Sequence, residues 1–119
     1  MDWKEAFNIG NEIVLATTSS DGNPHANVVI SKGFIDGKLL VNCCQMNTTL
    51  ENLKRNNNVC IVTVSNRNYF RVKGTVEIFS SGKYFDEAVK RNKPPPVRFA
   101  VVITIKEVFD LDNVRKIEI

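Results

Sequence analysis

The clearest pattern along the chain is a strict alternation from residue 70 to 78. Phe70, Val72, Gly74, Val76 and Ile78 alternate with Arg71, Lys73, Thr75 and Glu77. This is the period of a strand with one face buried and the other solvated or facing a ligand. Residues 12 to 18, Glu-Ile-Val-Leu-Ala-Thr-Thr, are short, apolar and β-branched, and predict a buried strand. The run Ser20-Asp21-Gly22-Asn23-Pro24 then predicts a tight turn into a second strand over about 25 to 35. Asp36-Gly37 makes another hairpin turn, and a third strand covers about 38 to 42. Val59 to Val64 reads as a buried strand, and Phe99 to Ile105 as a long closing one. The tail from Val114 to Ile119 is a last short strand or helix.

Three helices punctuate these strands. Asp2 caps a short first one, with Trp3, Ala6 and Phe7 on one face and Gly10 at its stop. After a polar loop from Cys43 to Asn47, a helix runs over about 48 to 56. Thr48 and Glu51 have the spacing of a capping box, and Leu50 and Leu53 face the core. Residues 82 to 92 predict a third helix, with Tyr84, Phe85, Ala88 and Val89 on one side. The tally is about six strands. Most neighbours are joined by tight turns, which favours antiparallel pairing. A sheet this long in so small a chain should close on itself to remove its edges.

At 119 residues, with 43% hydrophobic and 24% charged side chains, the chain has the size and composition of one globular domain spanning residues 1–119. No apolar stretch approaches the roughly 20 residues of a membrane helix. The N-terminus lacks the basic start and apolar run of a signal peptide, so a cytoplasmic protein is expected. Three cysteines and a single histidine, His25, fit neither a disulfide framework nor a zinc site, and no metal is expected. Cys60, inside an apolar run, is expected in the core. The net charge of +3 is too mild for a typical nucleic-acid binder. A small-barrel nucleic-acid binder has only Tyr69, Arg71 and Lys73 on one strand to support it.

Candidate chemistry concentrates at Asn47, Thr48 and Thr49. The first N–H groups of a helix lack intrahelical partners, and the dipole there favours anions. Two hydroxyls and an amide add donors, so this is a phosphate seat or, on the plainer reading, a capped helix end. Asn27 within the second strand and Asn42 at the end of the third are polar residues in apolar surroundings, aimed at a ligand or at water. Arg71, Lys73 and Arg98 form either a solvated face or a positive wall beside an anion. Gly74 marks a bulge or a close approach of backbone or ligand.

Taken in order, these stretches resemble the FMN-binding split-barrel family, the pyridoxamine 5'-phosphate oxidase-like proteins. The resemblance runs through Ile13 to Thr18, Asp21 to Pro24, Asn27 to Phe34, Thr49 to Asn56, Arg71 to Ile78 and Arg98 to Ile105. It implies a mainly β, six-stranded antiparallel split β-barrel of Greek-key topology that acts as a homodimer with flavin mononucleotide (FMN) at the interface. By position, Asn27, Val28 and Val29 would line the flavin, partly through backbone groups. Asn42 and Cys43 would edge the pocket, Asn47, Thr48 and Thr49 would hold the phosphate, and Tyr69 would touch the ring. Residues around Pro96 would approach from the other subunit. The expected role is an FMN-dependent oxidoreductase or electron carrier of unknown substrate. A non-catalytic module binding a deazaflavin or heme is the alternative. Many members carry Lys where this chain has Thr48, and the oxidase carries Arg where it has Asn27. Each lost charge-assisted bond weakens binding by about ten- to a hundredfold unless Lys32, Arg71 or Lys73 compensates. The oxidase's basic C-terminal substrate residues have no counterpart, so pyridoxamine phosphate oxidation is not expected.

Overall fold

A computed structural model describes residues 2–43, 47–92 and 97–119, with the side chains of Cys43 and Asn66 left aside. Asp2 caps a 3-10 helix over Trp3–Phe7 by accepting the Lys4 amide at 3.2 Å. The strands are β1 (Glu12–Thr18), β2 (Pro24–Ile35), β3 (Lys38–Cys43), β4 (Asn58–Thr63), β5 (Phe70–Phe79), β6 (Phe99–Asp110) and β7 (Arg115–Ile117). Two α-helices intervene, α1 (Asn47–Arg55) and α2 (Lys83–Lys90). The tail therefore resolves to a short strand.

The strand order is β3-β2-β1-β4-β5-β6-β7, and β3 also pairs with β6. That last pairing closes a six-stranded antiparallel barrel, with β7 as an added edge. β1, β2 and β3 follow one another through hairpins, and β4 returns through α1 to lie beside β1, which is a Greek key. The barrel is split because β2 serves two partners. Residues 24–30 pair with β1, and residues 31–35 pair with β3 after a register shift between Ser31 and Phe34. Gly33 makes this bend with φ +80°, and an added Cβ would lie 2.7 Å from Ile9. Ser31 is fully buried here, its hydroxyl donating to Phe7 O at 2.6 Å and accepting the Gly33 amide at 3.1 Å.

Alternation sorts the core. Ile13, Leu15, Val29, Leu39, Val41, Val59, Ile61, Val72, Val101, Ile103 and Val108 point into the barrel. Leu50 and Leu53 of α1 close one end, and Phe7 closes the other in edge-to-face contact with Trp3 and Phe34. Leu40, Ala100 and Val102 point the other way and are covered by Ala88, Tyr84 and Phe85 of α2. Val89 of that helix stays 47% exposed, contrary to expectation, because the short helix buries only one narrow stripe.

Three further expectations shift. α1 begins at Asn47, so Thr48 lies inside the first turn rather than at the cap, and it makes no side-chain hydrogen bond among the described residues. β6 continues past Ile105 to Asp110, since a register shift between Lys73 and Gly74 lets it follow β5 to its start. Of the two roles suggested for Gly74 the close approach holds, since a Cβ there would meet Thr104 O at 2.4 Å, while the bulge beside it is made by Lys106 of β6. Finally, Cys60 is half-buried on the outer face, beside Ala16 and Lys73.

Candidate functional site

The residues singled out from the sequence fall into separate places. The first group gathers where α1 docks on β2. Thr49 is 1% exposed, and its hydroxyl donates to Asn27 Oδ1 at 2.5 Å. Asn52, one turn on, donates from Nδ2 to Thr17 Oγ1 at 3.1 Å. These two bonds fix the start of α1 against the barrel end. Thr49 thus orients Asn27, and its own hydroxyl is spent. The Asn27 amide nitrogen makes no hydrogen bond among the described residues and remains a donor. Asn47 and Thr48 are exposed at the opening turn.

A cation joins this group. Cys43 pairs with Phe99 and Asn42 with Ala100, so the β3–β6 closure carries the residue before Phe99 to the start of α1. Arg98 donates from a guanidinium nitrogen to Asn47 Oδ1 at 3.0 Å. Its Cζ and Lys54 Nζ lie 5.7 and 5.6 Å from the Phe99 ring centroid. Lys32, Arg71 and Lys73 were the cations expected to make good the missing lysine; Arg98 is the one hydrogen-bonded to the opening residue of α1. The long-range pairing, rather than any local motif, brings it there.

The backbone beside Asn27 is also available. Residues 24–30 of β2 pair with β1 on one side, while β3 takes only the later residues, so the other edge carries unpaired N–H and C=O groups next to α1. Val29 is 7% exposed and belongs to the core, so only its backbone can face that edge. Val28 points outward and is 62% exposed.

The remaining residues lie elsewhere. Asn42 reaches α2, donating to Ala88 O at 3.2 Å, and its Oδ1 is buried without a partner among the described residues. The Cys43 backbone continues the β3–β6 ladder. Tyr69, 40% exposed, immediately precedes β5, and Arg71 sits on that strand. Val14 faces Val28 on one side and Val62 on the other, and Val62 faces Arg71. Arg71 is therefore three strands away from β2. The expected loop from Cys43 to Asn47 lies mostly outside the described residues, as does Pro96.

The outer face of β2, β1, β4 and β5 is apolar for a solvent-facing surface. Ile30, Val28 and Val64 are 39%, 62% and 42% exposed, with Val14, Ala16, Cys60 and Val62 half-buried between them. A groove of about 250 Å³ runs across Ala16, Pro24, Cys60 and Lys73. Among the described residues, no helix is long and apolar enough to cross a membrane.

A closed antiparallel barrel, split at β2 and capped by a helix whose opening residue is hydrogen-bonded by the Arg98 guanidinium, defines a small split-barrel protein. The sequence profile described as pyridoxamine 5'-phosphate oxidase matches residues 3–112, and the chain belongs to that family. Comparison with curated protein sequences gives no match. Among solved structures, HupZ from group A Streptococcus superposes with a TM-score of 0.86 at 21% identity, over 97% of this chain and 95% of that one. An FMN-binding protein from Syntrophomonas wolfei gives 0.75 at 18% identity, over 91% and 80%. An F420 reductase gives 0.72 at 19% identity, over 91% and 96%.

Proposed function

We propose that the chain binds FMN at the α1 end of the barrel, as a homodimer, and uses it for electron or hydride transfer. The observation that carries this reading is the Arg98–Asn47 hydrogen bond. It puts a guanidinium at a helix terminus that already offers the α1 amides, the Thr48 hydroxyl and the Asn27 amide. That donor set suits a phosphate monoester, and it supplies a positive charge where the family's usual lysine is absent. The free edge of β2 next to it offers alternating backbone donors and acceptors, the groups a flavin ring edge requires.

When bound, FMN supplies the redox chemistry. The chain's residues bind and orient it. Arg98, Thr48 and Asn27 hold the phosphate, Thr49 keeps Asn27 facing the seat, and Val28 offers an apolar surface beside the backbone edge. No side chain is assigned a proton transfer. A ligand the size of FMN fills a pocket of roughly 300 Å³ or more when well enclosed. The open groove on this face is smaller, and the apolar outer face supports closure of the site by a second copy. A deazaflavin is the second reading, in keeping with the F420 reductase of like fold.

The test is a titration of the purified protein with FMN, followed by flavin absorbance and fluorescence quenching. Saturation at one FMN per chain is expected. Arg98→Ala should weaken binding by about ten- to a hundredfold, as loss of one charge-assisted bond predicts, with the fold unchanged. Absence of uptake by the unmodified protein overturns the reading. Mass spectrometry of ligand extracted from the purified protein separates FMN from a deazaflavin.

A further inference from the structure

His25 is a residue of the α1 end that the FMN reading leaves unused. Burial alternates along this part of β2: His25 and Asn27 are half-buried, while Pro24, Ala26 and Val28 are exposed. His25 is paired with Thr17 of β1, as Asn27 is with Leu15, and Thr17 and Leu15 are 3% and 0% exposed. His25 therefore shares the inner face of β2 with Asn27, about 7 Å further along the strand. Its ring takes part in no side-chain hydrogen bond or ion pair among the described residues.

Three hydrogen bonds fix which part of α1 lies over it. Thr49 bonds Asn27 on β2 and Asn52 bonds Thr17 on β1, so the helix starts above β2 and crosses towards β1. Arg55 then donates to Ser20 Oγ at 3.1 Å, just past the end of β1. Thr48, Asn52 and Arg55 follow one another at helical spacings of four and three, so they form one stripe, and it faces the β1–β2 turn. Over β1 this stripe brings Asn52 to Thr17. Over β2, one turn earlier, it brings Thr48 to His25, the ladder partner of Thr17. An imidazole thus stands beside the position where the family's usual lysine is absent.

We propose that protonated His25 holds the FMN phosphate beside Thr48, which links cofactor binding to pH. The inference rests on the FMN-binding reading above and adds a residue and a means of regulation to it. A histidine ring changes charge between about pH 5 and 8, and only the charged ring donates from both nitrogens. The charged groups around it leave that role open. β1 carries no charge from Ile13 to Thr18. Arg55 of α1 is engaged with Ser20, Arg98 with Asn47, and Asp21 of the β1–β2 turn with Ser19 and Asn23. Glu51 of α1 makes no ion pair among the described residues, and it is the carboxylate that could compete for the ring. The ligand titrates the other way, since a phosphate monoester loses its second charge as pH falls below about 6. Imidazolium and dianion coexist best near that value, and binding weakens on both sides of it.

FMN and riboflavin titrations followed by fluorescence quenching, from about pH 5.5 to 8.5, test it. FMN affinity of the unmodified protein should peak near pH 6 and fall about tenfold towards pH 8.5, the loss of one charge-assisted bond. His25→Asn should bind FMN about tenfold more weakly at the peak and equally well at the alkaline end. Thr48→Lys, alone or combined with His25→Asn, should hold the peak affinity up to the alkaline end, because a lysine there occupies the same corner and stays charged. Riboflavin, which lacks the phosphate, should bind alike in all these proteins at every pH. Glu51→Gln should keep the maximum. An FMN affinity that does not fall towards pH 8.5 overturns the inference and leaves FMN binding itself standing. So does a His25 effect equally large with riboflavin, or a maximum that vanishes in Glu51→Gln, which would assign the dependence to a His25–Glu51 pair. An unmodified protein that takes up no FMN at any pH overturns both readings.

Discussion

At the scale of single residues, two positions show how little freedom the barrel leaves. Gly74 sits beside the bulge that Lys106 makes in β6, and a methyl group there would come within 2.4 Å of Thr104 O. The obstacle is backbone within a paired strand, so relief requires one strand to move. Gly74→Ala should cost about 2–4 kcal/mol, near the upper range for overpacking, read from the urea midpoint. Asp110 closes the β6–β7 turn, accepting the Asp112 and Asn113 amides at 3.0 and 3.1 Å and Asn113 Nδ2 at 2.8 Å. The Asn113 side chain, then its amide, hold the Asp110 carboxyl below the usual aspartate value, against the opposing effect of burial. A carboxyl depressed in the folded state stabilises fully above its unfolded pKa of about 3.9, and that contribution is lost as pH falls through the lower folded value. Thermal midpoints recorded from about pH 7 down to pH 3 should therefore drop in this acid window. Asp110→Asn should melt lower at neutral pH and show less of that acid-side decline.

At the scale of elements, α1 is held by polar as well as apolar contacts. Leu50 and Leu53 fill the barrel end, while Thr49 and Asn52 bond to Asn27 and Thr17. Thr49→Val keeps the shape but leaves Asn27 Oδ1 without its donor. A loss of about 1 kcal/mol in stability is expected, with weaker FMN binding as Asn27 loosens, checked by urea unfolding beside the FMN titration. The strands β1 to β5 were legible because tight turns and alternation bound them, as Asp36-Gly37 does between β2 and β3. Their faces were less so. The run from Val59 to Val64 is apolar throughout, so nothing local says that Ile61 points inward while Cys60 and Val62 point out. The end of β6 was hidden by Lys106 and Glu107, which read as the close of an apolar run although a bulge carries the strand through them. In the site, the helix terminus and Asn27 were visible as donors. That Asn42 turns to α2, and that Arg98 reaches Asn47, depends on pairings between residues some fifty positions apart, and no local pattern encodes those.

At the scale of the whole molecule, the apolar outer face is what the proposed pairing with a second copy would account for. A strand buried on one face alternates, whereas one buried on both reads as a continuous apolar run. β1 and β4 read as continuous runs, yet in the single chain their outer residues Val14, Ala16, Cys60 and Val62 are only half-buried. A second copy laid on this face would bury both sides, close the groove and bring a second set of polar groups to the β2 edge. Val14 lies at the middle of the band, between Val28 and Val62. It is outside the barrel core, so Val14→Glu leaves the interior packing untouched. In a dimer the new carboxylate would be buried against apolar side chains, a cost of several kcal/mol per ion that falls on each protomer. Light scattering should then give half the mass of the unmodified protein, with the circular dichroism spectrum preserved and FMN affinity reduced. An unmodified protein that already runs as a monomer, or a Val14→Glu variant that stays dimeric, would move the second copy off this face.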